Sequence, residues 1–178
     1  MSNIVYIATS LDGYIAGPEG NLDWLNYVPV PQGNDLGFAN FIAGIDAIIM
    51  GRKTFETVVG FGMGWTYPVP GLILSSTENT APEGFKEHVT FAKGTPDKII
   101  NLAKAKGYSN LYIDGGKTIQ SFLQAGLIDE LIVSEIPVLL GGGEQLFGEL
   151  NKQLNFELVG SEVLLHQIIK KHYRIKRE

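Results

Sequence analysis

The sequence predicts a three-layer α/β domain with a mostly parallel central sheet and a C-terminal antiparallel hairpin. Three observations carry that expectation. Short runs of strand formers alternate with amphipathic stretches of helical period, the pattern that lays helices over a parallel sheet. The run from Asp129 to Pro137, with Leu131, Ile132, Val133 and Ile136 as its apolar residues, reads as a strand of the kind a parallel sheet buries on both faces. From Phe156 to Lys176 polarity roughly alternates instead, which suits a final hairpin with one wet face.

The elements follow in order. Ile4 to Ala8 reads as a first buried strand, closed by turn residues at Asp12-Gly13 and Gly17-Pro18. Gly17 to Asn34 is rich in Gly, Pro and Asn, with Trp24 and Tyr27, and reads as a long ordered loop of the kind that often serves as a lid. A short helix is expected from Asp35 to Ala43, capped by Asn34 or Asp35. The central stretch Ala47-Ile-Ile-Met-Gly-Arg-Lys-Thr-Phe-Glu56 is a strand, a glycine break at Gly51, and a helix from Arg52 to Val58. Leu72 to Ser76 and Val89 to Ala92 are further strands, the second followed by Lys93. Thr95 should cap a helix opened by Pro96, with Ile99, Ile100, Leu102 and Ala103 turned inward. Asn110 to Ile113 is a strand, Asp114-Gly115-Gly116 a tight turn, and Lys117 to Ala125 a helix. Gly141-Gly142-Gly143 should precede a short helix reaching Leu150.

Bulk properties narrow the function. A chain of 178 residues, 44% of them hydrophobic, suits one domain with a substantial core. A net charge of −5 argues against general affinity for nucleic acid or anionic membranes. The absence of cysteine excludes disulfides and thiolate chemistry and suits a cytoplasmic setting. The sequence shows no signal-peptide pattern and no apolar run of membrane-spanning length, and its three histidines lack metal-ligand spacing, so no metal site is expected.

Three strand ends share one chemistry. Gly51-Arg52-Lys53-Thr54, Ser75-Ser76-Thr77 and Gly115-Gly116-Lys117-Thr118 each offer hydroxyls, cations or glycine amides where a parallel sheet binds ligands. Two of them open helices, whose free N–H groups and positive dipole end suit a phosphate. Cations at such positions are unfavourable unless an anion joins them. Together the three point to a ligand with several phosphates, such as a dinucleotide. Neither a Rossmann fingerprint nor a Walker A loop is present.

With those motifs in order, the chain resembles the dihydrofolate reductase-like superfamily along nearly its whole length, and within it the branch that includes the reductase domain of bacterial riboflavin biosynthesis. The carriers are Ser10-Leu-Asp-Gly-Tyr-Ile-Ala16, Ile48-Ile-Met-Gly-Arg-Lys-Thr-Phe55, Ile73-Leu-Ser-Ser76 and Ile113-Asp-Gly-Gly116. The resemblance implies NADPH as cofactor. Arg52, Ser75 and Ser76, with Lys93 nearby, would hold the 2′-phosphate and adenosine side. Gly51, Lys53, Thr54, Gly115, Gly116, Lys117 and Thr118 would hold the pyrophosphate, and Ala8, Ile15 and Ala16 would meet the nicotinamide. It also implies a pocket carboxylate at Asp35, relaying the proton that accompanies hydride transfer, and a hydroxyl at Ser134 bonded to it. Asp35 has a second reading as a plain N-cap, and Ser134 as a core hydroxyl. Phe38, Trp24 and Phe55 could wall the pocket or belong to the core.

The function expected is NADPH-dependent reduction of a C=N or C=O bond in a small pterin- or aminouracil-like heterocycle. The alternatives are the 5-amino-6-(5-phosphoribosylamino)uracil reductase of riboflavin biosynthesis and a non-catalytic nucleotide-binding module. The stretch from Thr54 to Phe85 has no Lys or Arg, so it offers no clamp for a carboxylate or phosphate on the substrate. The branch also suggests a homodimer.

Overall fold

The computed structural model describes residues 1–77 and 80–177. Its strands are β1 (Ser2–Ser10), β2 (Tyr14–Ala16), β3 (Ala47–Gly51), β4 (Gly71–Leu74), β5 (Val89–Ala92), β6 (Asn110–Asp114), β7 (Glu130–Ile136), β8 (Glu144–Gln145), β9 (Phe156–Leu164) and β10 (Ile168–Ile175). The helices are α1 (Phe38–Ile42), α2 (Arg52–Gly60), α3 (Pro96–Ala105) and α4 (Gly116–Gln124). Eight strands form one sheet in the order β5-β4-β3-β6-β1-β7-β10-β9, and β2 pairs with β8 in a small second sheet. The six strands from β5 to β7 run parallel; β10 is antiparallel to β7 and β9 antiparallel to β10. The expected architecture is thus present, hairpin included. Among the described residues no helix is long and apolar enough to cross a membrane.

The pleat of β3 shows how the layers arise. Ala47 and Ile49 join the core cluster under α3 and α4, which contribute Ile99, Ile100, Ala103, Ile119, Phe122 and Leu123. Ile48 and Met50, pointing the other way, join the cluster that holds Ile42 of α1 and Phe55 and Val58 of α2. All four residues of that run are fully buried. A continuous apolar run is what a strand covered on both faces requires, and each large side chain so buried contributes about 1.5–3 kcal/mol.

Four expectations need correction. The helix expected from Asp35 is only α1, because Leu36 and Gly37 take positive φ (56° and 91°) and the chain enters the helix at Phe38. Leu102 is 37% exposed rather than turned inward, since the apolar stripe of α3 runs through Ile99, Ile100 and Ala103. Thr95 occupies the cap position of α3 without a side-chain cap bond. No helix follows Gly143. The chain there is extended as β8, held by β2 and by α4, whose Gln120 and Gln124 amides donate to the carbonyls of Gln145 and Glu149. The 17–34 loop is anchored to the core. Trp24 is buried with Val28, Ile136 and Ile168 in a third cluster, and so is core rather than pocket wall.

Gly143 sets how closely β8 approaches β2. A Cβ there would stand 2.1 Å from the Ala16 carbonyl oxygen, and φ is 124°. Gly143→Ala is expected to destabilise the fold by about 1–3 kcal/mol in urea unfolding. Gly142→Ala, with nothing within 4 Å, serves as the near-neutral control.

Candidate active site

β3 and β6 are neighbours in register, Met50 opposite Asp114, and each ends in a glycine turn that opens a helix. Since α2 and α4 lie on opposite faces of the sheet, their first turns meet only at these strand ends. A Cβ on Gly51 would come within 3.0 Å of Thr118 Oγ1, and one on Gly115 within 2.3 Å of Thr54 Oγ1. Gly115 also has φ +88°, so space and backbone both demand glycine.

These turns form one wall of a cleft of about 670 Å³. The lining brings together Ala8 from β1, Ile15 and Ala16 from β2, Gly51, Arg52, Lys53 and Thr54, and Gly115, Gly116, Lys117 and Thr118. Arg52 and Lys53 stand on the first turn of α2, Lys117 on that of α4. Arg52 Nε donates to Glu56 Oε1 at 2.7 Å and Nη1 to Thr77 Oγ1 at 3.0 Å. The Ser75 hydroxyl lies 3.3 Å from that of Thr77, so the end of β4 and the start of α2 share one cluster of donors. Lys53 Nζ is 3.1 Å from Glu144 Oε2 across the mouth. Ser75, Ser76 and Lys93 lie outside the cleft lining, Lys93 exposed after β5.

The opposite wall is aromatic. Tyr6, Phe38, Tyr67 and Tyr112 line it, with Phe38 packed edge-on against Tyr6 at 5.7 Å and against Tyr67 and Tyr112 at 6.4 Å. Tyr112 Oη donates to the Tyr6 carbonyl at 2.9 Å, and Tyr6 Oη to the Leu36 carbonyl at 3.1 Å. Among these rings sits Asp114, whose carboxylate accepts the Gly115 N–H at 2.9 Å. Burial pushes its carboxyl up to about 6, only partly offset by that amide. Tyr67 is pushed up to about 12 by burial and by the nearby Asp114 charge. Burial foremost, with the Asp114 charge, also raises Tyr112 well above the ordinary tyrosine range.

Asp35 is elsewhere. It is exposed, does not line the cleft, and accepts the Gly37 and Ala39 N–H groups at 2.9 and 2.7 Å, which lower its pKa. Ser134 lies within β7, paired with Ala8 on one side and Lys170 on the other, and also lies outside the cleft lining. Phe38 does line the cleft, whereas Phe55 belongs to the core.

Sequence reasoning missed Asp114 and the tyrosines. A signal was available: Tyr112 and Asp114 are two apart on one strand, so they share a face and end at the edge where ligands bind. Asp12 was likewise read only as a turn residue. It accepts bonds from Ser10 Oγ, Leu140 N and Gly141 N, and the Ser10 hydroxyl foremost holds it down to about 2. That ties the 140–143 turn to the end of β1.

This sheet order, with glycine turns opening two helices at one edge, defines a dihydrofolate reductase-like protein. The chain belongs to the RibD C-terminal domain family, whose model matches residues 3–170. The protein YwjB of Bacillus subtilis, itself uncharacterised, is 34% identical, over 96% of this chain and 95% of its own length. A crystal structure of a protein from Shewanella sp. PV-4, provisionally named for riboflavin biosynthesis, is 47% identical, with a TM-score of 0.95 over 99% of this chain and 100% of that one. Dihydrofolate reductase from Enterococcus faecalis, solved in complex with NADP(H), shares the fold at 22% identity, with a TM-score of 0.67 over 99% of this chain and 97% of its own.

The Asp114 pKa has a measurable consequence. A carboxyl raised above its unfolded value lets the folded state hold the proton longer, so its contribution to stability falls as pH rises from about 4 to about 6 and stays lost above. Asp114→Asn keeps an acceptor for the Gly115 amide and removes that charge. The variant should match the wild type near pH 4 and exceed it by about 1–2 kcal/mol at pH 8, read by thermal unfolding across pH.

Proposed function

We propose that this protein is an NADPH-dependent reductase that passes hydride to a C=N or C=O bond of a small heterocycle, with Asp114 as the proton donor. The observation that carries the reading is the placement of Arg52, Lys53 and Lys117 on the first turns of two convergent helices, where only an anion makes cations favourable. Dinucleotide phosphates fit the residues present, because two helix N-termini, with their first-turn amides and three cations, border one cleft.

In this reading Lys53, Thr54 and the Gly115–Thr118 turn hold the pyrophosphate. Arg52 and Ser75 hold a 2′-phosphate, with Ser76 and Lys93 further out, and Ala8, Ile15 and Ala16 flank the nicotinamide. When bound, the reduced nicotinamide supplies the hydride. The aromatic wall holds a planar ring and excludes water. Asp114, with a pKa of about 6, is poised near neutral pH to give up a proton. The fold-sharing dihydrofolate reductase with NADP(H) supports the cofactor assignment. Family membership and the Shewanella relative favour, as a second reading, reduction of 5-amino-6-(5-phosphoribosylamino)uracil. A cytoplasmic homodimer belongs to the same proposal.

Two measurements test it. NADPH should quench and transfer energy from tryptophan in the micromolar range, with NADH and the Arg52→Ala protein each weaker by about 10–100-fold, the loss of one charge-assisted contact. Absence of NADPH binding would sink the reductase reading. In NADPH-oxidation assays over pterins and aminouracils, Asp114→Asn should lower kcat by about 100-fold or more while Asp35→Asn leaves it near wild type. The reverse pattern would return the proton relay to Asp35, with Ser134 as its partner.

A further inference from the structure

The charges of the cleft are sorted by wall, and the sorting bears on the substrate. Among the described residues the cations of the lining are Arg52, Lys53 and Lys117, all beside the two helix N-termini. The aromatic wall holds none; the carboxylates of the lining are Asp114, among the rings, and Glu144, which pairs with Lys53. The chain itself enforces this, since no Lys or Arg occurs from Thr54 to Phe85, the stretch that supplies the rest of α2, the following loop and β4.

Two other sources of a cation can be weighed. Lys170 lies behind Tyr6, but its Nζ donates to the Leu36 carbonyl at 3.1 Å and pairs with Glu162 at 2.6 Å, and it does not line the cleft. The neighbouring groove of about 810 Å³ shares Lys53, Lys117 and Glu144 and adds Glu19 and Glu149, so carboxylates outnumber lysines there. Neither offers a phosphate a net positive site.

Resting on the reductase reading above, we infer that the substrate is an uncharged or cationic planar heterocycle without phosphate or carboxylate, and that anionic analogues are repelled from the aromatic half of the cleft. A like charge brought within several ångströms of Asp114, in a partly desolvated site, weakens binding by about 10–100-fold. A ring edge bearing N–H groups suits a carboxylate that can only accept. The inference parts from a phosphoribosyl substrate while keeping the cofactor and the fold.

The test uses the NADPH-saturated protein and matched ligand pairs that differ only by the anion. These are pterin against 6-carboxypterin, and 5-amino-6-ribosylaminouracil against its 5′-phosphate, titrated calorimetrically. The neutral member of each pair should bind at least about 10-fold more tightly. Thr57→Lys, which adds a cation to the cleft lining on α2, should narrow that gap. Equal or tighter binding of the anionic members would overturn the inference, and loss of that binding in Lys170→Met would name the cation responsible. Binding of neither member of either pair would also overturn it. NADPH binding is measured first, so its failure removes the reductase reading itself, whereas NADPH binding with a preference for anions removes this inference alone.

Discussion

Thr54 stands so close to the Cα of Gly115 that no side chain fits between them, and the cleft depends on that approach. β3 and β6 are adjacent, with strand axes about 5 Å apart, whereas two helices need about 10 Å between theirs. Adjacent strands can both launch helices only if the helices leave on opposite faces, as α2 and α4 do. The first turns still meet at the sheet edge, and glycine at 51 and 115 resolves the conflict. The result is two sets of unpaired amides beside one cavity, with cations from both helices next to them.

The same alternation explains why a half-buried carboxyl lies in the same cleft. On β6, Leu111 and Ile113 point to the α3–α4 layer, so Tyr112 and Asp114 point to the layer of α1 and α2. That layer is aromatic around Tyr6, Phe38, Phe41 and Tyr67, and its rings deprive Asp114 of water without supplying a counter-charge. One strand ending thus produces both a glycine turn that opens α4 and, one residue earlier, a carboxyl that holds its proton more tightly than usual.

Much of this was legible before any coordinates. The parallel strands announced themselves as short apolar runs, and the phosphate-like turns as glycines followed by cations and hydroxyls. The residues of those turns that the cleft gathers were all visible as types at strand ends. Other features depended on tertiary context. The resemblance points to Asp35, yet the positive φ of Leu36 and Gly37 turns its carboxylate to cap a short helix. Glu144 to Leu150 reads as a short helix after three glycines, but β2 and the α4 glutamines capture it as an extended segment. Trp24 sits in a glycine-rich loop and is nevertheless core, because Ile136 and Ile168 from distant strands close over it. Asp114 was passed over since an Asp before Gly-Gly reads as turn chemistry, and its desolvation depends on the tertiary packing around the end of β6.

Acid strength and substrate charge are coupled at this site. Asp114 already holds its proton to about 6 because burial disfavours its anion. A substrate phosphate or carboxylate nearby would disfavour that anion further and raise the pKa again. A group pushed far above the working pH keeps its proton too tightly to serve as a donor, since the anion left behind is what the surroundings oppose. A neutral ring dehydrates the site without adding a charge, and a cationic one favours the carboxylate that proton transfer leaves. The aromatic wall and the missing cations therefore act in one direction. On the proposed reading they favour the substrates in whose presence Asp114 can release a proton near neutral pH.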